Sequence, residues 1–140
     1  MSDPVLTARE LAAFLYEVFP QVRGEMEIEA VGPLTARLRL GVAERHLRPG
    51  GTVSGPAMFM LADCAFYVAV LAMIGREPLT VTTNLSINFL RKPARTDMLG
   101  EARILKLGRR LAVGDVTLTS EGDPRPVAHA SVTYAIPDRG

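Results

Sequence analysis

Asp63 is a lone carboxylate in a segment, Ala57 to Ile74, that is otherwise almost unbroken hydrocarbon. A charge placed among apolar side chains is costly unless it is paired or used. Just ahead of this segment stands Ser54-Gly55-Pro56. Proline suits the first turn of a helix and has no N–H to offer. A helix that begins here would therefore present the Gly55 amide, with Ser54 beside it. At such a terminus the first N–H groups lack internal partners and the helix dipole favours negative charge. Glycine also allows the backbone to come close to a ligand. A carboxylate can activate water or attack directly, and an exposed amide can hold an oxygen that becomes negative. Asp63, Gly55 and Ser54 are therefore the leading candidates for chemistry.

Spacing adds a condition. Gly55 and Asp63 are eight residues apart, about 12 Å along a helix. One helix cannot bring its own N-terminal amide and its own Asp63 onto the same atom. A second copy running antiparallel can, so the pair predicts sites shared between two subunits. The carboxylate is expected to be ionised at neutral pH, the form a base or nucleophile needs.

The surrounding secondary structure follows from periodicity and turn residues. Thr7 to Phe19 is a short amphipathic helix, with Thr7 and Glu10 at capping-box spacing and Pro20 ending it. Gly24 to Ala43 suggests two strands joined near Val31-Gly32-Pro33, the second alternating Ala36, Leu38, Leu40 and Val42 with polar residues. Gly55 to Gly75 is the long apolar helix. Four extended segments follow: Leu79–Leu90, Gly100–Leu107, Leu111–Ser120 and Val127–Ile136. Short links between the last strands imply an antiparallel meander. In Leu79–Leu90, alternation sets Val81, Thr83, Leu85, Ile87 and Phe89 on the helix side. Thr83 is thus a candidate for orienting water or Asp63, with Thr82 the competitor if the register shifts by one.

A helix apolar all round must be covered all round. One curved sheet covers only part of it, and the remainder asks for another subunit. The expected fold class is α+β: a single domain over residues 1–140, an antiparallel sheet wrapped around a long central apolar helix, assembled as a homodimer or homotetramer.

The totals exclude several classes. The formal net charge of +1 balances 16 basic against 15 acidic residues, and no basic block interleaves with aromatics, so nucleic acid is not an expected partner. Cys64 is the single cysteine, and His46 and His129 are the only histidines. No internal disulfide and no metal site are expected, in keeping with a cytoplasmic setting. Gly55–Gly75 is long enough to span a membrane, but Asp63 near its middle and the Gly and Pro at its start favour a buried core helix over a membrane partner.

Leu47 to Pro93 resembles the phenylacetate-degradation-type hotdog acyl-coenzyme A thioesterases. The matching residues are Leu61-Ala-Asp-Cys-Ala-Phe66, a glycine-containing loop beginning nine residues before Asp63, and Ile87-Asn-Phe-Leu-Arg-Lys-Pro93. The resemblance implies hydrolysis of an acyl-coenzyme A thioester, with coenzyme A entering as part of the substrate and no separate cofactor. It also implies composite sites across a dimer and basic edges that bind coenzyme A phosphates, for which Arg91, Lys92, Arg109 and Arg110 are the candidates. The family loop usually reads His-Gly-Gly with an Asn before it; here Ser54-Gly55-Pro56 and Arg48 stand there. Two alternatives remain: a hotdog hydratase or dehydratase, for which His46 is the candidate, and a non-catalytic acyl-thioester binding protein. Phe59, Phe66, Tyr67 and the methionines suit a medium acyl chain or an aryl-acyl group alike.

Overall fold

The computed structural model describes residues 3–138. Helix α1 runs Ala8–Val18, with Thr7 as its cap. The Thr7 hydroxyl accepts from the Glu10 amide at 3.1 Å, while Glu10 Oε1 accepts from the Thr7 amide at 3.0 Å. Helix α2 runs Gly55–Ile74 and closes at Gly75, whose φ of 99° suits a residue without Cβ. Six strands complete the chain: β1 (Met26–Gly32), β2 (Thr35–Leu40), β3 (Val81–Phe89), β4 (Met98–Leu107), β5 (Leu111–Ser120) and β6 (Pro126–Ala135).

All the strand pairs are antiparallel, in the order β1-β2-β4-β5-β6-β3. The antiparallel meander expected of the last, short-linked strands is formed by β4, β5 and β6. β3 pairs with β6 at the sheet edge, so the link from Phe89 to Met98 crosses two strands. The link is long enough: its eight residues can extend about 26 Å, against roughly 15 Å for three strand spacings. This order leaves the other side of β3 without a neighbouring strand among the described residues, and it sets β3 next to the tyrosine-bearing end of β6.

α2 lies on the concave side of the sheet, the hotdog arrangement. Alternation in β2 and β6 does what it predicts: Ala36, Leu38 and Leu40, and Ala128, Ala130, Val132 and Tyr134, are all buried. The sheet face of α2 contributes Leu61, Ala65, Phe66, Val68 and Ala69 to the same core. Fully burying a leucine, valine or phenylalanine side chain stabilises by about 1.5–3 kcal/mol. Gly114 in β5 makes room for Phe66: a Cβ there would fall 2.7 Å from the ring and 2.0 Å from the Arg103 carbonyl oxygen. α2 is long and apolar enough to cross a membrane, and most of it is buried within the domain.

Register shifts interrupt β1, β4 and the β5–β6 pairing as well, but the one that reaches the site lies in β3. Thr82 faces Tyr134 and Asn84 faces Thr133, so Thr83 is an extra, bulged residue. The bulge inverts the side-chain pattern on its N-terminal flank. Val81 is turned outward and 53% exposed, while Thr82 is turned toward the helix. Beyond the bulge, Leu85 and Ile87 keep the expected side and pack on the core.

Candidate active site

Asp63 sits midway along α2 on the stripe that the sheet does not cover. Phe59, 41% exposed, and the half-buried Met60 and Tyr67 share this stripe. Thr82 Oγ1 donates to Asp63 Oδ1 at 2.6 Å. The Tyr134 hydroxyl lies 2.6 Å from the same oxygen and 2.9 Å from the Asp63 carbonyl oxygen. Two donors therefore converge on Oδ1, and Oδ2 has no partner among the described residues. Burial, then the Asp63 charge, hold the Tyr134 hydroxyl far above its ordinary range, so it acts as a donor. Its ring packs between Phe66 and Tyr67, at centroid distances of 5.5 and 6.1 Å. Cys64, beside Asp63, is pushed up to about 12 by burial and then by the Asp63 charge; it is a neutral thiol.

A cleft of about 450 Å³ opens at this carboxylate. Its apolar wall includes Val18, Phe19 and Met60, and its polar side carries Asp63, Thr80, Thr82 and Tyr134. A hydrocarbon-lined cleft with a few convergent polar groups is the usual form of a small-molecule site.

Thr83 is not the partner of Asp63. Its hydroxyl donates to the Thr133 carbonyl oxygen at 3.2 Å on the exposed side, because the bulge gives the helix-facing position to Thr82. Tyr134 was missed by sequence reasoning because an aromatic residue in an apolar alternation reads as core. The available signal was its hydroxyl, which must find a partner when buried.

Ser54 caps α2: its Oγ accepts from the Ala57 amide at 3.3 Å, and its carbonyl oxygen accepts from Met58 N–H at 3.1 Å. Pro56 has no N–H. The Gly55 N–H takes no hydrogen-bond partner from the described residues and stands at the positive end of the helix. A Cβ on Gly55 would lie 3.4 Å from the Phe89 ring, so this amide sits near the C-terminal end of β3. Asp63, bonded to Thr82, sits near the N-terminal end. One chain thus keeps the two groups apart, as their spacing requires.

The four basic candidates divide in the same way. Arg91 and Lys92 are exposed beyond the C-terminal end of β3, where Arg91 Nε donates to the Pro126 carbonyl oxygen at 3.0 Å. Arg109 and Arg110 are exposed in the β4–β5 turn, beside the end of β6 that pairs with Val81. These ends are about 26 Å apart along β3, so a single chain does not gather all four. His46 is buried and fully engaged: Nδ1 accepts from the Ala43 amide at 2.8 Å, Nε2 meets Glu25 Oε1 at 3.1 Å, and its carbonyl oxygen accepts from Ser54 N–H. It anchors the loop before α2 and does not line the Asp63 cleft.

The thioesterase superfamily model matches residues 50–127, which include the end of the loop before α2, all of α2, and β3, β4 and β5. This chain belongs to the thioesterase superfamily. A "putative thioesterase" from Silicibacter sp. TM1040, known from its crystal structure, is 57% identical. That match covers 96% of this chain and 94% of that one, with a TM-score of 0.89. The PaaI protein of phenylacetic acid degradation from Thermus thermophilus, solved as a point mutant, is 25% identical. It covers 84% of this chain and 99% of that one, with a TM-score of 0.73. An uncharacterised protein of Mycobacterium tuberculosis is 35% identical over 107 residues, 76% of this chain. The chain spans 36% of the length of that curated relative.

Proposed function

We propose that this superfamily member is an acyl-coenzyme A thioesterase acting on a small or medium acyl or aryl-acyl group at two sites shared across a homodimer. One observation carries the reading: Asp63, on the open stripe of α2, is held through Oδ1 by Thr82 and Tyr134 while Oδ2 stays without an internal partner at a cleft. A carboxylate fixed through one oxygen can use the other on substrate or water.

As a general base, Oδ2 takes a proton from water as the water oxygen attacks the thioester carbon. The carbonyl electrons move to oxygen, which the Gly55 N–H of the partner subunit holds. When the carbon–sulfur bond breaks, the sulfur takes the proton back from Asp63, and acid and thiol leave. As a nucleophile, the same carboxylate would first form a mixed anhydride, which water then cleaves. Both routes need the ionised acid and the amide on one carbonyl.

Strand geometry supports the shared site. The open edge of β3 can pair antiparallel with its own copy, and its exposed Val81 and Phe89 would be covered by doing so. With the two-fold near Leu85 and Ser86, Thr82 lies opposite Phe89 of the partner subunit, which brings the partner's Gly55 toward Asp63. The same operation sets Arg109 and Arg110 at the end where the partner's Arg91 and Lys92 emerge. Coenzyme A phosphates would then meet basic groups from both chains. His46, with both ring nitrogens engaged outside the cleft, offers no support for a hydratase. The test is thiol release from a panel of acyl-coenzyme A esters by wild type and Asp63→Ala. Release by wild type that the variant lacks is expected; no release from any ester would overturn the reading.

A further inference from the structure

Thr80 is a buried hydroxyl with nothing to bond. The residue precedes β3, lines the Asp63 cleft and is 3% exposed. Its amide donates to the Glu77 carbonyl oxygen at 3.1 Å, but its Oγ1 has no hydrogen-bond partner among the described residues. The other hydroxyls of the cleft are engaged: Thr82 and Tyr134 on Asp63, and Tyr67 on the Pro78 carbonyl oxygen. The other buried side-chain atom in this condition, Arg37 Nε, lies 3.0 Å from Glu29 Oε1 and is ion-paired. Among the fully buried side-chain nitrogen and oxygen atoms of the described residues, Thr80 Oγ1 alone is uncompensated.

A buried hydroxyl without a partner weakens the fold, and a valine of the same shape would remove that cost. The hydroxyl therefore points to a ligand. Thr80 and Thr82 are two residues apart on near-extended chain, so their side chains share a face about 7 Å from one another. Val18, Phe19 and Met60 make the surrounding wall apolar, and Cys64 is neutral. Oγ1 is shielded from solvent while the residue itself lines the cleft. One rotamer step about Cα–Cβ exchanges methyl and hydroxyl at that wall. A threonine hydroxyl both donates and accepts, so it pairs with an alcohol or a ketone.

Resting on the reading of this cleft as an acyl-thioester site, we propose that Thr80 is a specificity-determining residue. It hydrogen-bonds a hydroxyl or keto oxygen carried on a mainly hydrocarbon acyl group, several bonds beyond the thioester carbonyl. A hydrogen bond of ordinary strength is worth about tenfold in kcat/KM.

The test uses two nearly isosteric esters, 6-hydroxyhexanoyl- and heptanoyl-coenzyme A, and their non-hydrolysable thioether counterparts, with wild type, Thr80→Val and Thr80→Ser. Wild type is expected to favour the hydroxy ester by about tenfold in kcat/KM and the hydroxy thioether similarly in calorimetric affinity. Thr80→Val should erase both preferences, and Thr80→Ser should keep them. Thr80→Val should also melt no lower than wild type, since it removes an unpaired buried group. The proposal is overturned if wild type treats the pair alike, if the valine variant keeps the preference, or if its Tm falls. Hydrolysis of both esters at equal rates by wild type would remove the role of Thr80 and leave the thioesterase reading standing. No hydrolysis, with a thioether preference that valine abolishes, would remove hydrolysis and leave Thr80 as the reader of the acyl group.

Discussion

The two long faces of α2 are built from similar residues and have different fates. The sheet face carries Leu61, Ala65, Phe66 and Ala69, each fully buried, and Phe66 fits a gap that only Gly114 leaves open. The opposite stripe carries Phe59, Met60, Asp63 and Tyr67, all left partly exposed by their own chain. The first face is completed by the fold. The second, which holds the single charge of the helix, is where the proposed substrate and partner subunit meet. Hydrophobicity places α2 in the core, while its one charged residue marks the side the core does not use.

Breaking each face separately should give opposite phenotypes. Phe66→Ala removes a buried aromatic on the packed side, and about 3–5 kcal/mol of stability should be lost in denaturant unfolding. Asp63→Asn keeps the shape on the open side. It should leave the unfolding midpoint near that of wild type while thiol release falls about a thousandfold. A stability loss in Asp63→Asn comparable with that in Phe66→Ala would make Asp63 a structural anchor and erase the contrast.

A finer cut lies within β3. Thr82→Val removes a hydrogen bond to a carboxylate and should cost about 10–100-fold in kcat/KM. Thr83→Val, one residue away on the outer side, should change the rate by less than about twofold. Equal effects would mean that the bulge is absent from the working enzyme.

That bulge also marks where sequence reasoning stops. Thr7–Phe19 and the later strands were legible to within a few residues because each has one dominant period, and Gly55–Gly75 because its long apolar run is bounded by Pro56 and Gly75. Asp63 was legible as a candidate because a carboxylate in a hydrocarbon run must be paired or used. The choice between Thr82 and Thr83 was not, since both are threonines and a single inserted residue leaves no mark on composition. Tyr134 was hidden for a related reason: its ring satisfies the apolar pattern that its hydroxyl then uses. The edge position of β3 depends on pairing with a strand some fifty residues later, and local pattern is silent on such partners.

A contrast confined to alkaline pH concerns Cys64, which lines the cleft yet is buried like the core. Its thiol is pushed up from the ordinary value of 9 to about 12, by burial first and the Asp63 charge second. The native protein should therefore resist thiol labelling at pH 8. Between pH 9 and 12 the unfolded chain releases a proton that the folded chain keeps, so this contribution to stability is full below pH 9 and is lost as pH rises through the folded value. Wild type should lose stability more steeply than Cys64→Ala across that window, as followed by denaturant midpoints. Parallel curves would mean that the thiol is not buried as described.

Hybrid dimers decide whether each site takes Asp63 from one subunit and the Gly55 amide from the other. Gly55→Pro removes one N–H at a position where proline suits the helix, and Asp63→Asn removes the charge. Each variant alone should be nearly inactive. Co-refolded in equal amounts, they should recover about a quarter of wild-type activity, because half the dimers are hybrids and each hybrid holds one intact site. A mixture no more active than its two parents, or a Gly55→Pro enzyme as active as wild type, would contradict the shared site.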